Sequence, residues 1–242
     1  MQATYFRNKF TVLGLQIAAL LLLALSTNAQ HFKWALRNNP EFDRRKISYG
    51  FMIGLHTSAY EIKYADQFVT QRFDTVHSVQ GQFSTGFSLG FLVNLRLHEI
   101  LDVRIMPKAG FYNHRLTYYL TNNTSKQQLV ETTMVEIPVL LKYKSMRRGN
   151  VRMYMIGGFT PGIEASGKND AQTTTETLDV KRFNLSLDAG VGFDFYFPLF
   201  KFSQEIRYSR GIVNMLGDAP SAFREPLQSI NTNTISVYFI FQ

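Results

Sequence analysis

The chain of 242 residues contains no cysteine. That excludes a disulfide framework, a thiolate-held metal and a lipid anchor attached through a cysteine. Beyond residue 25 there is no apolar run of the about 20 residues a spanning helix needs, so strands must make any membrane crossing. Histidine is scarce, with five in all. No Gly-x-Ser-x-Gly nucleophile elbow occurs, and the glycines recur at period two, a packing pattern, instead of gathering into a phosphate-cradling loop. The basic excess, +8 at neutral pH, is scattered one or two residues at a time, which argues against a nucleic-acid-binding face.

The first thirty residues read as an export signal. Arg7 and Lys9 precede a fourteen-residue apolar run, Val12 to Leu25, interrupted only by Gly14 and Gln16. Ser26, Thr27, Asn28 and Ala29 follow, and Ala29-Gln30 marks the cleavage point. Removing this segment leaves a mature charge of +6. Residues 30–46, with Trp34, Pro40 and Phe42, form a short polar lead-in with too few apolar residues for a domain, and residues 47–242 form the domain itself.

The domain's pattern is clearest from Phe183 to Phe197. Odd positions are Phe, Leu, Leu, Ala, Val, Phe, Phe and Phe; even positions are Asn, Ser, Asp, Gly, Gly, Asp and Tyr. Only a strand with two different faces holds a period of two for this long. Similar stretches begin near Ile47, Phe83, Leu101, Thr133, Val151, Phe200 and Asn231, giving eight strands in all. The stretch at Val151–Glu164 is apolar on both parities, so its facing stays open. In the third strand the apolar parity shifts near Asn113, which suggests a bulge there. Connections alternate between long (63–80, 121–129, 165–180, 212–230) and short, the arrangement of an outer-membrane barrel with external loops and periplasmic turns.

Volume chooses the outward face. An eight-stranded barrel has an interior that side chains just fill. The parity carrying Phe, Leu, Ile and Tyr is too bulky to share that space, whereas the other parity is rich in Gly and Ser. The apolar face is therefore assigned to lipid and the Gly/Ser face to the lumen. The fold class is all-β: an eight-stranded antiparallel up-and-down transmembrane β-barrel behind a cleavable signal peptide, with both mature termini on the periplasmic side. Tyr49, Phe83, Phe111, Tyr143, Phe195, Phe197 and Phe241 sit near strand ends, as interfacial girdles require.

On this parity the lumen holds Asp102, Arg104, Lys108, Glu136, Lys142, Lys144, Asp188, Asp194, Glu205 and Arg207. Strand adjacency pairs Asp102, Arg104 and Lys108 with Glu136 and Lys142, and Asp188 and Asp194 with Glu205 and Arg207. Such a network fills and stiffens the tube and leaves no bore for a solute. His56 and Ser58, inward on the first strand, and His114 on the third are the candidates for catalytic or metal chemistry. They lack a carboxylate at working spacing, and no cofactor or metal is expected.

Several blocks resemble the PorT-family outer-membrane barrels of the Bacteroidetes. They are Pro40-Glu41-Phe42-Asp43 with Ile47–Leu55, Leu95-Arg96-Leu97 with Leu101–Pro107, Val135–Ser145 with Tyr154–Gly158, and Gly190–Pro198 with Phe200–Ser209. The likeness covers most of the mature chain but not the long connections. It implies a non-catalytic accessory of the type IX secretion system, which exports cargo across the outer membrane and supports gliding in some species. It implies other secretion-system proteins as partners, beside the outer-membrane lipid that the apolar face would meet. Phe239 and Phe241 near the carboxyl end resemble the terminal signal that barrel-assembly machinery reads during biogenesis, or are simply two more lipid-facing residues. The alternatives are a small outer-membrane barrel of unrelated adhesive, structural or porin-like role, or a lipid-modifying enzyme.

Overall fold

The computed structural model describes residues 38–64, 76–120, 125–165, 180–217 and 227–242. The expected signal peptide, lead-in residues 30–37 and parts of the four long connections lie outside them. A 3-10 turn at Pro40–Arg44 precedes eleven strand segments: β1 (Ile47–Tyr64), β2 (Val76–Gln82), β3 (Ser84–His98), β4 (Leu101–Ile105), β5 (Lys108–Leu120), β6 (Ser125–Glu136), β7 (Val139–Lys144), β8 (Val151–Glu164), β9 (Phe183–Tyr196), β10 (Lys201–Gly211) and β11 (Leu227–Phe241).

Three pairs of segments, β2 with β3, β4 with β5 and β6 with β7, are single staves broken by one or two residues, so the wall has eight staves. All pairings are antiparallel. β1 pairs with β3 on one side and with β11 on the other, from Phe51↔Phe241 to Tyr64↔Leu227, which closes the sheet into a ring. A closed ring is the β-structure that leaves no unpaired edge in hydrocarbon.

Proline explains the breaks in the third and fourth staves. A proline nitrogen cannot donate to the ladder, and Pro107 and Pro138 stand where β4 gives way to β5 and β6 to β7. Their carbonyls, with that of Pro161 on β8, still accept from the preceding stave: Phe91 N to Pro107 O, Met106 N to Pro138 O and Ile137 N to Pro161 O, each at 3.0 Å.

The irregularity expected near Asn113 lies on the facing stave and not in β5 itself: β3 pairs Phe87 with Phe111 and β2 pairs Gln82 with Arg115, so one extra residue sits between β2 and β3 opposite Asn113. The β5–β6 register runs without a shift from Lys108↔Glu136 to Tyr119↔Ser125. Leu116 is inward and fully buried; the apolar residue there belongs to an apolar cap inside the tube and does not reverse the faces. Three expected loops are shorter than their polarity implied, because β2, β6 and β11 begin inside them. Above the hydrocarbon band a strand can face water on both sides and lose its apolar signature while keeping its ladder.

Burial follows an inside-out pattern. Phe51, Leu55, Phe91, Leu141, Met155, Leu187, Val191 and Ile206 are exposed, whereas Arg104, Arg207 and Lys142 are among the largest fully buried side chains. β8, open in the sequence, turns Tyr154, Ile156 and Thr160 inward and Met153, Met155, Phe159 and Ile163 outward. One expectation needs correction: the lumen is not lined mainly by small residues. Met52, Leu92, Met106, Leu140, Tyr154, Ile156, Tyr238 and Ile240 form a buried cluster within it. Glycines make the room. A Cβ on Gly192 would come within 2.4 Å of the Tyr154 ring, and one on Gly54 within 2.6 Å of Tyr238.

Candidate functional site

The alternation that sends Phe and Leu outward sends every second residue of each stave into the tube, and the charged ones meet in layers. At the centre Arg104, on β4, places Nη1 2.7 Å from Glu205 Oε2 on β10 and donates from Nε to Asn94 Oδ1 at 2.8 Å. The Tyr154 hydroxyl donates to the same Glu205 oxygen at 2.9 Å. The other oxygen, Oε1, accepts from Arg207 Nη2 at 2.5 Å and Nε at 3.1 Å. One carboxylate thus joins two guanidiniums, and these in turn lie over Tyr154 and Tyr238.

Two further layers flank this one. Lys142 Nζ reaches both oxygens of Asp194 at 2.9 and 2.7 Å, stands 3.6 Å from the centre of the Tyr154 ring, and leaves Asp194 a further bond from Ser203 at 2.6 Å. Lys144 pairs with Asp102 at 2.5 Å. On the other side Lys108 bridges to Glu136 at 2.5 Å and donates to the Tyr238 hydroxyl at 3.0 Å, while the Tyr112 hydroxyl donates to Glu136. Thr160 donates to Asp188 at 2.5 Å, and Arg207 Nη1 stands 3.8 Å from that carboxylate.

All ten charged residues assigned to the lumen are buried. The structure joins Lys108 to Glu136 and Arg207 to Asp188 between neighbouring staves, and Arg207 to Glu205 within one. It does not join Arg104 or Asp102 to Glu136 or Lys142. Arg104 reaches across the tube to Glu205, and Lys142 reaches past β8 to Asp194 on β9. Sequence parity tells which charges enter a tube; it does not tell which meet across it. Lys201 and the tyrosines 112, 154, 196 and 238 were missed as members. All four tyrosines sit on the inward parity, which was the available signal.

The ends are closed differently. At the short-turn end Phe42 of the 3-10 turn packs edge-on against Tyr196, with ring centres 6.1 Å apart. The neighbouring Asp43 carboxylate accepts from Arg147 at 3.2 Å, Arg152 at 3.1 Å and the Tyr196 hydroxyl at 2.9 Å. Arg96 donates to the Asp43 carbonyl. The end of the polar lead-in is therefore part of the barrel's closure. At the long-loop end Tyr60, Val79, Leu116, Val180, Met215, Leu216, Leu227 and Ile230 form an apolar cap.

Ser58 and His114 do come together, with Ser58 Oγ 3.4 Å from His114 Nδ1. His114 is stacked on Tyr60 at 4.1 Å, His56 is stacked on Tyr112 at 4.2 Å, and His56 Nε2 bonds to the Phe111 carbonyl at 3.2 Å. Among the described residues no carboxylate bonds either ring, and no three His, Cys, Asp or Glu residues are gathered as metal ligands would be. The arrangement is that of two packed aromatic rings.

Among curated proteins none matches this chain. Several solved outer-membrane structures are similar to it in part. The outer membrane protein OprG from Pseudomonas aeruginosa is 13% identical, over 81% of this chain and 94% of that one, with a TM-score of 0.48. Neisserial surface protein A is 11% identical, over 81% and 98%, at 0.42. The outer membrane protease OmpT from Escherichia coli is 10% identical, over 81% and 94%, at 0.41. The model of the family described as "Outer membrane protein beta-barrel domain" matches residues 28–217. A ring of eight antiparallel staves with its charges inside and its phenylalanines outside fits that match, and the chain belongs to the outer membrane protein beta-barrel domain family.

Proposed function

We propose that this protein is a non-catalytic outer-membrane barrel with a blocked lumen, serving as an accessory of type IX protein export and not as a pore. The observation that carries the blocked-lumen reading is the Arg104–Glu205–Arg207 group with Lys142–Asp194, whose side chains are at most 1% exposed and which fill the middle of the tube. With eight staves there is no room for an aqueous path beside it. The export reading rests on the likeness of Val135–Ser145 and Gly190–Ser209 to the PorT family; these blocks supply β7, β9 and β10, the staves that carry Lys142, Asp194, Glu205 and Arg207.

In this reading the short turns and both mature termini face the periplasm and the long connections face outward. Lipid covers the Phe, Leu and Ile face, other secretion-system proteins dock at an aqueous end, and the assembly machinery reads Phe239 and Phe241. Two experiments test it. Purified protein in a planar bilayer should show no stable large conductance; a steady open pore would refute the blocked lumen. Deletion in the source organism should leave export cargo inside the cell, and normal export would count against the accessory role.

A further inference from the structure

The short-turn mouth holds more positive charge than its acids neutralise. A cavity of about 20 Å³ there is lined by six cations, Arg45, Lys46, Arg96, Lys144, Arg152 and Lys201, against three carboxylates, Asp43, Asp102 and Asp194. Each carboxylate is already engaged: Asp102 by Lys144, Asp194 by Lys142 and Ser203, and Asp43 by Arg147, Arg152 and Tyr196. Lys201 is left over. It is 4% exposed, and its ammonium lies 4.4 Å from the centre of the Phe42 ring, with no ion-pair partner among the described residues. Arg152 has a second unused donor, since its Nε is buried without an acceptor.

A guanidinium N–H buried without an acceptor is costly, and Lys201 lines the same cavity as Arg152, so one arriving anion would meet both. The cavity's size limits what can arrive. A water needs about 10–15 Å³ on this measure, so 20 Å³ admits one or two oxygen atoms and not a whole organic molecule. Arg45 and Lys46 are exposed beside it, where they raise the local concentration of anions. We propose that the short-turn mouth is a binding site for one small oxyanion group, a phosphate or a carboxylate, received by Lys201 and Arg152 with Arg96 beside them.

The test uses the full mature chain refolded in phosphatidylcholine nanodiscs and titrated calorimetrically with inorganic phosphate at constant ionic strength set by chloride. Saturable phosphate binding that acetate competes away is expected. Lys201→Met should weaken it about tenfold or more, the loss of one charge-assisted bond. Arg96→Gln should weaken it as well, keeping the test available if Lys201→Met fails to fold. Arg210→Gln, exposed near the opposite end of β10, should leave it unchanged. Repeating the titration in discs containing phosphatidylglycerol separates the sources: phosphate binding lost only there identifies a lipid headgroup as occupant, and binding retained in both identifies a soluble anion. Absence of saturable binding in phosphatidylcholine discs, or equal affinity in folded Lys201→Met, would overturn the site.

Discussion

Tyr154 on β8 lies directly opposite Gly192 on β9, and its ring occupies the space a side chain at Gly192 would need. A Cβ there would also stand 2.7 Å from the Gln204 carbonyl, so the neighbouring backbone blocks it as well. Gly192→Val should therefore destabilise the barrel by about 1–3 kcal/mol, the cost of overpacking. The measurement is the urea midpoint for loss of heat-modifiable gel mobility in detergent; an unchanged midpoint would mean that the tyrosine is free to swing aside.

The Lys142–Asp194 pair sets up a sharper contrast. Asp194→Ala leaves a buried ammonium without its partner and should cost about 3–5 kcal/mol. Replacing both ends with apolar residues, Lys142→Met with Asp194→Leu, removes the charge altogether and should recover most of that loss. Equilibrium unfolding of the wild type, Lys142→Met, Asp194→Leu and the double variant gives the coupling directly, and additive losses would show that the two residues do not act as a pair.

Ile206 stands between Val191 and Val237 on the outer surface, and all three have apolar neighbours. If lipid covers this belt, Ile206→Arg should cost about 2–4 kcal/mol at mid-depth. The folded fraction in bilayers of defined thickness reports it. Tolerance of the arginine would place this face in water.

Asp43 ties the end of the lead-in to Arg147, Arg152 and Tyr196. Asp43→Asn weakens all three bonds while keeping the shape, so trypsin should cut at Arg44 and Arg45 several-fold faster with the rest of the barrel still resistant. Equal cutting rates would mean that Phe42 alone holds the turn in place.

Much of this architecture is legible in the sequence because strand periodicity is a local property. Phe183–Phe197 declares its two faces without help from any other residue, and the volume of Phe and Leu against Gly and Ser declares which face is outside. Val151–Glu164 resisted the same reading because Ile156 and Tyr154, apolar yet inward, imitate the lipid-facing side. The site is less legible for a related reason. Lys108 and Glu136 share adjacent staves, so chain order alone suggests their meeting. Arg104 meets Glu205 only because the sheet curls until opposite walls come within reach of an arginine, and that distance is set by the whole ring. The Asp43 cluster was hidden further still, since nothing in a short polar segment says that it folds back over an opening.

The pairing of β1 with β11 also dictates when this molecule can be finished. Its first stave waits for the fifteen residues of β11 to be delivered, so a chain cut short before them is not a smaller barrel but a curled sheet with two raw margins. Such a sheet cannot rest among acyl chains.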